Sequence, residues 1–261
     1  AVPSSPMTPN PRQSELLETL REHGVMSVEA LAERFGVTLQ TVRRDVKLLS
    51  EAGLLARYHG GVRVPSSTTE NIAHRQREAL HAEGKQRIAR AVAARIPNGS
   101  SLLINLGTTT EAIARELLQH QGLRVITNNL NVATILADNR DCEVIVTGGV
   151  VRHRDRGIVG AAAVDLIRQF KVDIGLIGIS GLEADGTLRD YDYREVQVAR
   201  AIIERSREVW LAADHSKFNR PAMVELARLD QIDLLFTDAP PPEPYPALLA
   251  EAGVQVEVAP A

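Results

Sequence analysis

Between Val25 and Arg63 the spacing of apolar positions changes twice, and each change marks an element. Val28, Leu31, Ala32 and Phe35 recur at i, i+3, i+4 and i+7, which is one face of a helix. Ser27 stands where its side-chain oxygen can cap the first turn, and Gly36 stands where such a helix stops. Thr38 is placed to cap a second helix. On that helix Leu39, Val42, Val46 and Leu49 point one way, and Gln40, Arg43, Arg44 and Lys47 point the other. Leu54–Val64 reads as two short strands about a His59-Gly60-Gly61 turn, because glycines accept the backbone angles a tight hairpin needs. Upstream, Gln13–His23 carries Leu16, Leu17 and Leu20, a helix expected to pack beneath the other two. Two helices joined by a short Gly-containing turn and followed by a hairpin predict a winged helix-turn-helix over residues 9–64.

From residue 83 onward short apolar runs alternate with helical patterns. The strand-like runs are Ser101–Asn105, Leu123–Thr127, Cys142–Thr147, Asp173–Ile179, Glu208–Ala213, Leu234–Thr237 and Val254–Val258. The helical ones are Gly84–Ile96, Glu111–Leu118, Leu130–Ala137, Ala161–Phe170, Arg194–Arg205, Met223–Leu229 and Ala247–Ala252. Such alternation predicts an α/β domain with a mostly parallel sheet over residues 83–261. Its binding crevice is expected at the carboxyl ends of the strands. Residues 1–8 are polar and Pro-rich, and disorder is expected there. Pro65–Glu70 opens a polar stretch, and residues 65–82 read as a linker.

The chemistry of the first module suits DNA. Arg and Gln can form bidentate bonds to base edges, while Lys and Arg also hold phosphates. The residues expected at DNA are Ser27, Thr38, Gln40, Thr41, Arg43, Arg44, Lys47, Arg57 and His59, with Arg63 near the backbone. On an isolated helix such a basic face would be a solvated surface. Here turn, caps, apolar back face and hairpin stand in register, which favours DNA binding.

In the second domain the strand ends carry the chemistry. Gly107-Thr108-Thr109-Thr110 follows one strand and opens a helix, where free N–H groups, the helix dipole and hydroxyls suit an anion. Asn128-Asn129 ends the next strand, and serves either a ligand's hydroxyls or the turn itself. Gly148-Gly149, with Arg152 after it, is either a close approach to a phosphate or a tight turn with a surface cation. Ser180-Gly181 and Asp214–Lys217 end two more; Lys217 can neutralise a phosphate and Asp214 can accept polyol hydroxyls, or the two form a surface ion pair. Their convergence predicts a small, polar, anionic ligand. The spacing matches neither a Walker A loop nor a dinucleotide fingerprint. His153, His215, Asp185, Asp190, Asp192 and Glu195 offer acid–base groups, but no nucleophilic triad or His/Cys metal run is recognisable, so neither catalysis nor a metal or cofactor is expected.

Composition narrows this further. Across 261 residues, 44% are hydrophobic and 24% charged, with a formal charge of −3, so DNA contact must come from a local basic patch. The one cysteine, Cys142, allows no intrachain disulfide and is expected in a buried strand. No apolar run approaches the roughly 20 residues that span a bilayer, and the leader lacks a signal peptide's regions; a cytoplasmic protein is expected.

The two halves together resemble the DeoR family of bacterial transcription regulators. Thr41-Val42-Arg43-Arg44-Asp45 and His59-Gly60-Gly61 look like its N-terminal signature. Leu106–Thr109, Thr127–Asn129, Gly148-Gly149 with Arg152, and Asp214–Phe218 look like its effector domain. The resemblance implies a repressor of operator DNA, acting as a homodimer or homotetramer. Ile96–Ser100, Val125–Ala133, Gly175–Gly181, Arg200–Glu204 and Thr237–Pro242 are similar to members that answer to sn-glycerol 3-phosphate, which implies that effector. The family's effector domain is similar to the ribose-5-phosphate isomerase fold, which implies that Gly107–Thr109 and Lys217 clamp a phosphate. Those isomerases carry an acidic pair in the loop that here reads Gly178-Ile179-Ser180-Gly181. No carboxylate stands there, which argues against isomerase activity.

Overall fold

A computed structural model describes residues 9–23, 25–58, 61–64, 77–78 and 81–261. The chain divides into two compact units, Ala1–His81 and Ala82–Ala261. The expected leader (1–8), His59, Gly60 and most of the expected linker (65–76, 79 and 80) lie outside the described residues.

The first unit contains α1 (Pro11–His23), α2 (Val28–Phe35), α3 (Leu39–Glu51), β1 (Ala56–Tyr58) and β2 (Gly61–Arg63). The Ala30 N–H donates to Ser27 Oγ at 3.0 Å, and Gly36 closes α2 at φ 60. Thr38 caps α3 by accepting the Thr41 N–H at 3.2 Å. Leu16, Leu17 and Leu20 of α1 pack with Leu31 of α2, Val42, Val46 and Leu49 of α3, and Leu54, Leu55 and Val62 around the hairpin. Leu39, expected on the inner face, is 40% exposed: it occupies the first helical position, before the apolar stripe has turned inward. Gly61 belongs to β2 and not to the turn, since Tyr58 pairs with Gly61, Arg57 with Val62 and Ala56 with Arg63. Met26 adds a further antiparallel bridge to Val62.

The second unit is built on a seven-stranded sheet in the order β14-β13-β11-β8-β3-β4-β5. These strands are β3 (Ser101–Ile104), β4 (Leu123–Thr127), β5 (Cys142–Val146), β8 (Val172–Ile177), β11 (Ser206–Ala212), β13 (Leu234–Thr237) and β14 (Gln255–Val258). Each neighbouring pair is parallel. Alternate residues serve opposite faces, as a two-residue period requires. Leu102, Ile104, Val125, Leu176, Trp210 and Phe236 meet α4 (Ala82–Arg95), α5 (Thr108–Glu116) and α6 (Leu130–Leu136). Leu103, Ile126, Ile177, Leu211 and Leu235 meet α7 (Ala161–Ile167), α8 (Tyr193–Glu204) and α9 (Tyr245–Glu251). Cys142 opens the edge strand β5, which leaves it half-buried.

Beyond the main sheet, β6 (Val150–Val151) pairs antiparallel with β7 (Ile158–Val159), and β12 (Val224–Arg228), β10 (Thr187–Asp190) and β9 (Gly181–Leu182) form a small sheet. The stretch Met223–Leu229, expected as helix, is therefore mostly strand. Its short apolar run fits either period, and antiparallel pairing with β10 decides it.

Chain order in the main sheet runs outward in opposite directions from β3 and β8. Where strand order reverses, the loops leaving adjacent strands move apart and open a crevice at the carboxyl edge. The loops after β3 and β8 flank that point.

Candidate functional site

In the first unit, Gln40, Arg43, Arg44 and Lys47 are all exposed on α3, opposite the buried Val42, Val46 and Leu49. Thr41 is half-buried, and Arg57 is exposed on β1. Ser27 and Thr38 both serve as caps, and Thr38 Oγ1 also lies 2.9 Å from Thr41 Oγ1. The Lys47–Glu51 pair, at 3.9 Å and exposed, holds Lys47 only weakly. One inward residue escaped the sequence reading. Asp45 is 3% exposed and accepts Arg12 Nε at 2.8 Å and Gln13 Nε2 at 2.9 Å. It ties α1 to α3, and its only signal was an acidic residue on an otherwise apolar stripe.

In the second unit, Asn105 stitches the reversal point together. Its Nδ2 donates to Gly178 O at 3.1 Å, and the Gly178 N–H donates to its Oδ1 at 2.9 Å. Gly107 follows at φ 146, a conformation that only glycine adopts freely, and turns the chain into α5. Thr108, Thr109 and Thr110 form the first turn of α5, where backbone N–H groups precede the first intrahelical acceptor. The Thr110 hydroxyl donates to Gly107 O at 2.8 Å and to Asn105 O at 3.1 Å, so it shapes the turn. Thr108 and Thr109 are 8% and 5% exposed.

The end of β4 is held by a polar network. Asn129 Oδ1 caps α6 by accepting the N–H groups of Asn131 at 2.9 Å and Val132 at 3.2 Å. Its Nδ2 and the Nδ2 of Asn131 both donate to Glu111 Oε1, at 3.3 and 3.0 Å. Glu111, buried in the first turn of α5, is a second residue that sequence reading treated only as helix. Asn128 Nδ2 donates to Ile158 O at 3.0 Å, while its buried Oδ1 has no partner among the described residues. Gly149, at φ 139, leaves no room for a Cβ against the Val159 carbonyl, whereas Gly148 faces open space.

Ser180 donates to Asp190 Oδ1 at 3.0 Å, and Gly181 lies too close to the Arg220 carbonyl to accept a Cβ. Asp214 caps the short helical turn His215–Lys217 through the Ser216 N–H at 2.9 Å and also accepts the Ser216 hydroxyl. His215 is anchored on Asp238, through its backbone N–H at 2.7 Å and Nδ1 at 2.7 Å. Lys217 is half-buried at the end of that turn.

Arg152 does not stand open to a ligand as the sequence suggested. Its Nε and Nη2 face Asp155, Nη1 donates to Asp192 at 2.9 Å, and Nη2 donates to Glu195 at 2.8 Å. Burial alone would lower its pKa, but Glu195 and Asp155 outweigh that and hold it cationic. Burial would likewise raise the pKa of Asp192; hydrogen bonds from Arg194 and Arg152 instead hold it well below the usual carboxylate range. A depressed carboxylate stabilises the fold above its unfolded pKa of about 3.9 and loses that contribution as pH falls through its native value. Melting temperatures of wild type and Asp192→Asn should therefore differ at neutral pH, and the gap should begin to narrow only as pH falls below about 4. A constant gap across that range would remove Asp192 from the acid response.

Residues 12–68 match the DeoR-like helix-turn-helix domain and residues 80–239 the DeoR C-terminal sensor domain. The chain belongs to the DeoR family. Its first unit is thus a DNA-binding domain and its second a sensor of a small-molecule effector. It is 47% identical over 247 residues to the glycerol-3-phosphate regulon repressor of Escherichia coli (strain K12), spanning 95% of this chain and 98% of that protein. A repressor of the same name from Haemophilus influenzae is 47% identical over 87% of this chain and 88% of its own length. The HTH-type transcriptional repressor CsqR of E. coli is 41% identical over 96% of this chain and 95% of its own. Among solved structures, a D-ribose-5-phosphate isomerase in complex with phospho-erythronic acid aligns over 52% of this chain and 54% of its own, at TM-score 0.40 and 12% identity. This DeoR-family chain is a transcription regulator rather than an enzyme. Among the described residues no helix is long and apolar enough to cross a membrane.

Proposed function

We propose that this chain represses genes of glycerol 3-phosphate metabolism and leaves its operator when sn-glycerol 3-phosphate binds the sensor domain. The observation that carries the reading is 47% identity spread over 95% of the chain and 98% of the E. coli repressor of that regulon. Similarity that runs through both units covers the DNA reader and the sensor together.

In this reading α3 enters a major groove, with Gln40, Arg43 and Arg44 at base edges and Lys47, Arg57 and His59 toward phosphates. The phosphate of the effector rests on the first turn of α5 at Gly107, Thr108 and Thr109, and Lys217 supplies the counter-charge. Asn128 and Asp214 take the hydroxyls. Asn129, Gly148, Gly149, Ser180 and Gly181 shape the strand ends around it. The protein works in the cytoplasm, on the nucleoid, as a dimer or tetramer, because a two-fold protein matches paired half-sites. The reader spans residues 9–64, the linker 65–82 and the sensor 83–261. A coupling of about 1–3 kcal/mol between sites lowers operator affinity about 5–150-fold.

Fluorescence anisotropy on operator DNA tests this at fixed salt, because phosphate contacts make affinity salt-dependent. Release by sn-glycerol 3-phosphate, but not by glycerol, is the expected result; DNA that stays bound throughout would discard the ligand assignment. Arg43→Ala should weaken operator binding by about 1–3 kcal/mol while non-specific binding changes little. Unchanged operator affinity would take Arg43 off the reading face. A second reading keeps the architecture with another phosphorylated sugar as effector. The near full-length similarity to CsqR, a repressor of a different name, favours keeping it, and a panel of sugar phosphates in the same assay separates the two.

A further inference from the structure

Arg152, its carboxylate partners and the turn they enclose form one device. Each of its three guanidinium nitrogens already faces a carboxylate, and its side chain is 7% exposed. A phosphate oxygen arriving there would have to displace a group of its own charge. Asp155 comes from Arg152's own loop, whereas Asp192 is the N-cap of α8 and Glu195 lies in its first turn. Arg154 and Arg194 add positive charge at Asp192, at 3.7 and 2.9 Å, so the cluster balances three cations against three carboxylates: Arg152, Arg154 and Arg194 against Asp155, Asp192 and Glu195.

What the cluster pins is the segment 152–158. The Arg152 N–H donates to Gly157 O at 2.8 Å, and the Gly157 N–H donates to Asp155 Oδ1 at 3.1 Å. Between them Arg156 sits at φ 57, a left-handed conformation that side-chain-bearing residues hold only when their surroundings fix it. The pinned segment then grips the end of β4. Arg156 O accepts the Leu130 N–H at 3.2 Å, and the Ile158 N–H donates to Asn128 O at 2.7 Å. Ile158 O accepts Asn128 Nδ2 at 3.0 Å. With its NH₂ held on Ile158, the Asn128 amide can turn only its Oδ1 elsewhere. That atom is buried, in a residue 1% exposed, and is an acceptor without a donor among the described residues. A buried acceptor of this kind selects a group that donates, such as a hydroxyl.

We propose that Arg152 is a positioning residue of the sensor site: by clasping segment 152–158 to the start of α8 it fixes the Asn128 amide, whose Oδ1 then selects a hydroxyl-bearing ligand over its deoxy counterpart. This deepens, and rests on, the reading of the second unit as a polyol-phosphate sensor.

Calorimetric titration of the full-length protein with sn-glycerol 3-phosphate, n-propyl phosphate and inorganic phosphate separates the roles. Wild type should prefer sn-glycerol 3-phosphate to n-propyl phosphate. Arg152→Met should lower affinity for sn-glycerol 3-phosphate by about tenfold, the scale of one lost hydrogen bond, and change the other two by less than about twofold. Asn128→Leu should erase the same preference, and the double variant should lose no more than either single one, because the two residues act in series. Glu195→Gln keeps the shape of the clasp while removing one charge; it should erase part of the preference and supplies the answer if Arg152→Met fails to fold. Equal loss across all three ligands would make Arg152 a direct phosphate ligand and overturn the proposal. So would a full preference retained in Arg152→Met or, in its place, in Glu195→Gln. A wild type that ignores all three phosphates would instead remove the sensor reading beneath it.

Discussion

Lys217→Ala should yield a repressor that binds its operator as wild type does and needs roughly 10–150-fold more effector to release it. Lys217 ends the turn His215–Lys217, which Asp214 caps at the carboxyl end of β11. That strand is the sheet neighbour of β8, whose own end is stitched to the β3 loop through Asn105. The turn is anchored from behind: Phe218 is buried edge-on against Tyr245, and the Asn219 N–H donates to Leu182 O at 2.8 Å. Removing the ammonium thus leaves the scaffold in place and takes away the charge-assisted contact to phosphate that the proposed site assigns to Lys217. Such contacts contribute about 1.5–3 kcal/mol, so effector affinity should fall roughly 10–150-fold. Titrating sn-glycerol 3-phosphate against the repressor–operator complex checks it; a midpoint equal to that of wild type would sink the phosphate clamp.

Gly61→Ala should destabilise the first unit by about 3 kcal/mol, combining overpacking with the loss of neighbouring hydrogen bonds. A Cβ on Gly61 would run into the carbonyl of Met26. That carbonyl accepts the Val62 N–H at 2.9 Å, and the Met26 N–H donates to Val62 O at 3.1 Å. Backbone meets backbone, so no side chain can move aside. Val62, 2% exposed in the core of this unit, would be displaced with the strand. Operator affinity should drop with the stability, and calorimetry should show a lowered transition for this unit. A wild-type melting profile would mean that the hairpin tolerates a wider approach.

Local chemistry explains what could be read in advance. The boundaries of α2 and α3 were legible because Ser27, Gly36 and Thr38 each have one structural use there, and the structure realises all three. The parallel sheet was legible because its inner strands β3, β4, β8, β11 and β13 are mostly buried apolar runs. Strands of two residues, such as β6, β7 and β9, are too short to carry a period, and none was read. The site was legible in its parts but not in its wiring. Gly148, Gly149 and Arg152 looked like one loop facing a ligand. The partners of Arg152 lie as far off as Asp192 and Glu195, beyond any local pattern. Asn105 and Glu111 were invisible for the same reason: each acts through neighbours that only the folded sheet brings near.

Helix α3 divides its labour cleanly. Val42, Asp45, Val46 and Leu49 are committed to the interior, while Gln40, Arg43, Arg44 and Lys47 face outward, where the weak Lys47–Glu51 pair adds little. The outward residues can therefore be exchanged at little cost in stability, and in the proposed reading operator preference is free to drift or be rewritten while the inward set stays constant. Two repressors of this architecture could come to govern unrelated genes by changing a handful of outward side chains, with no alteration to how either one folds.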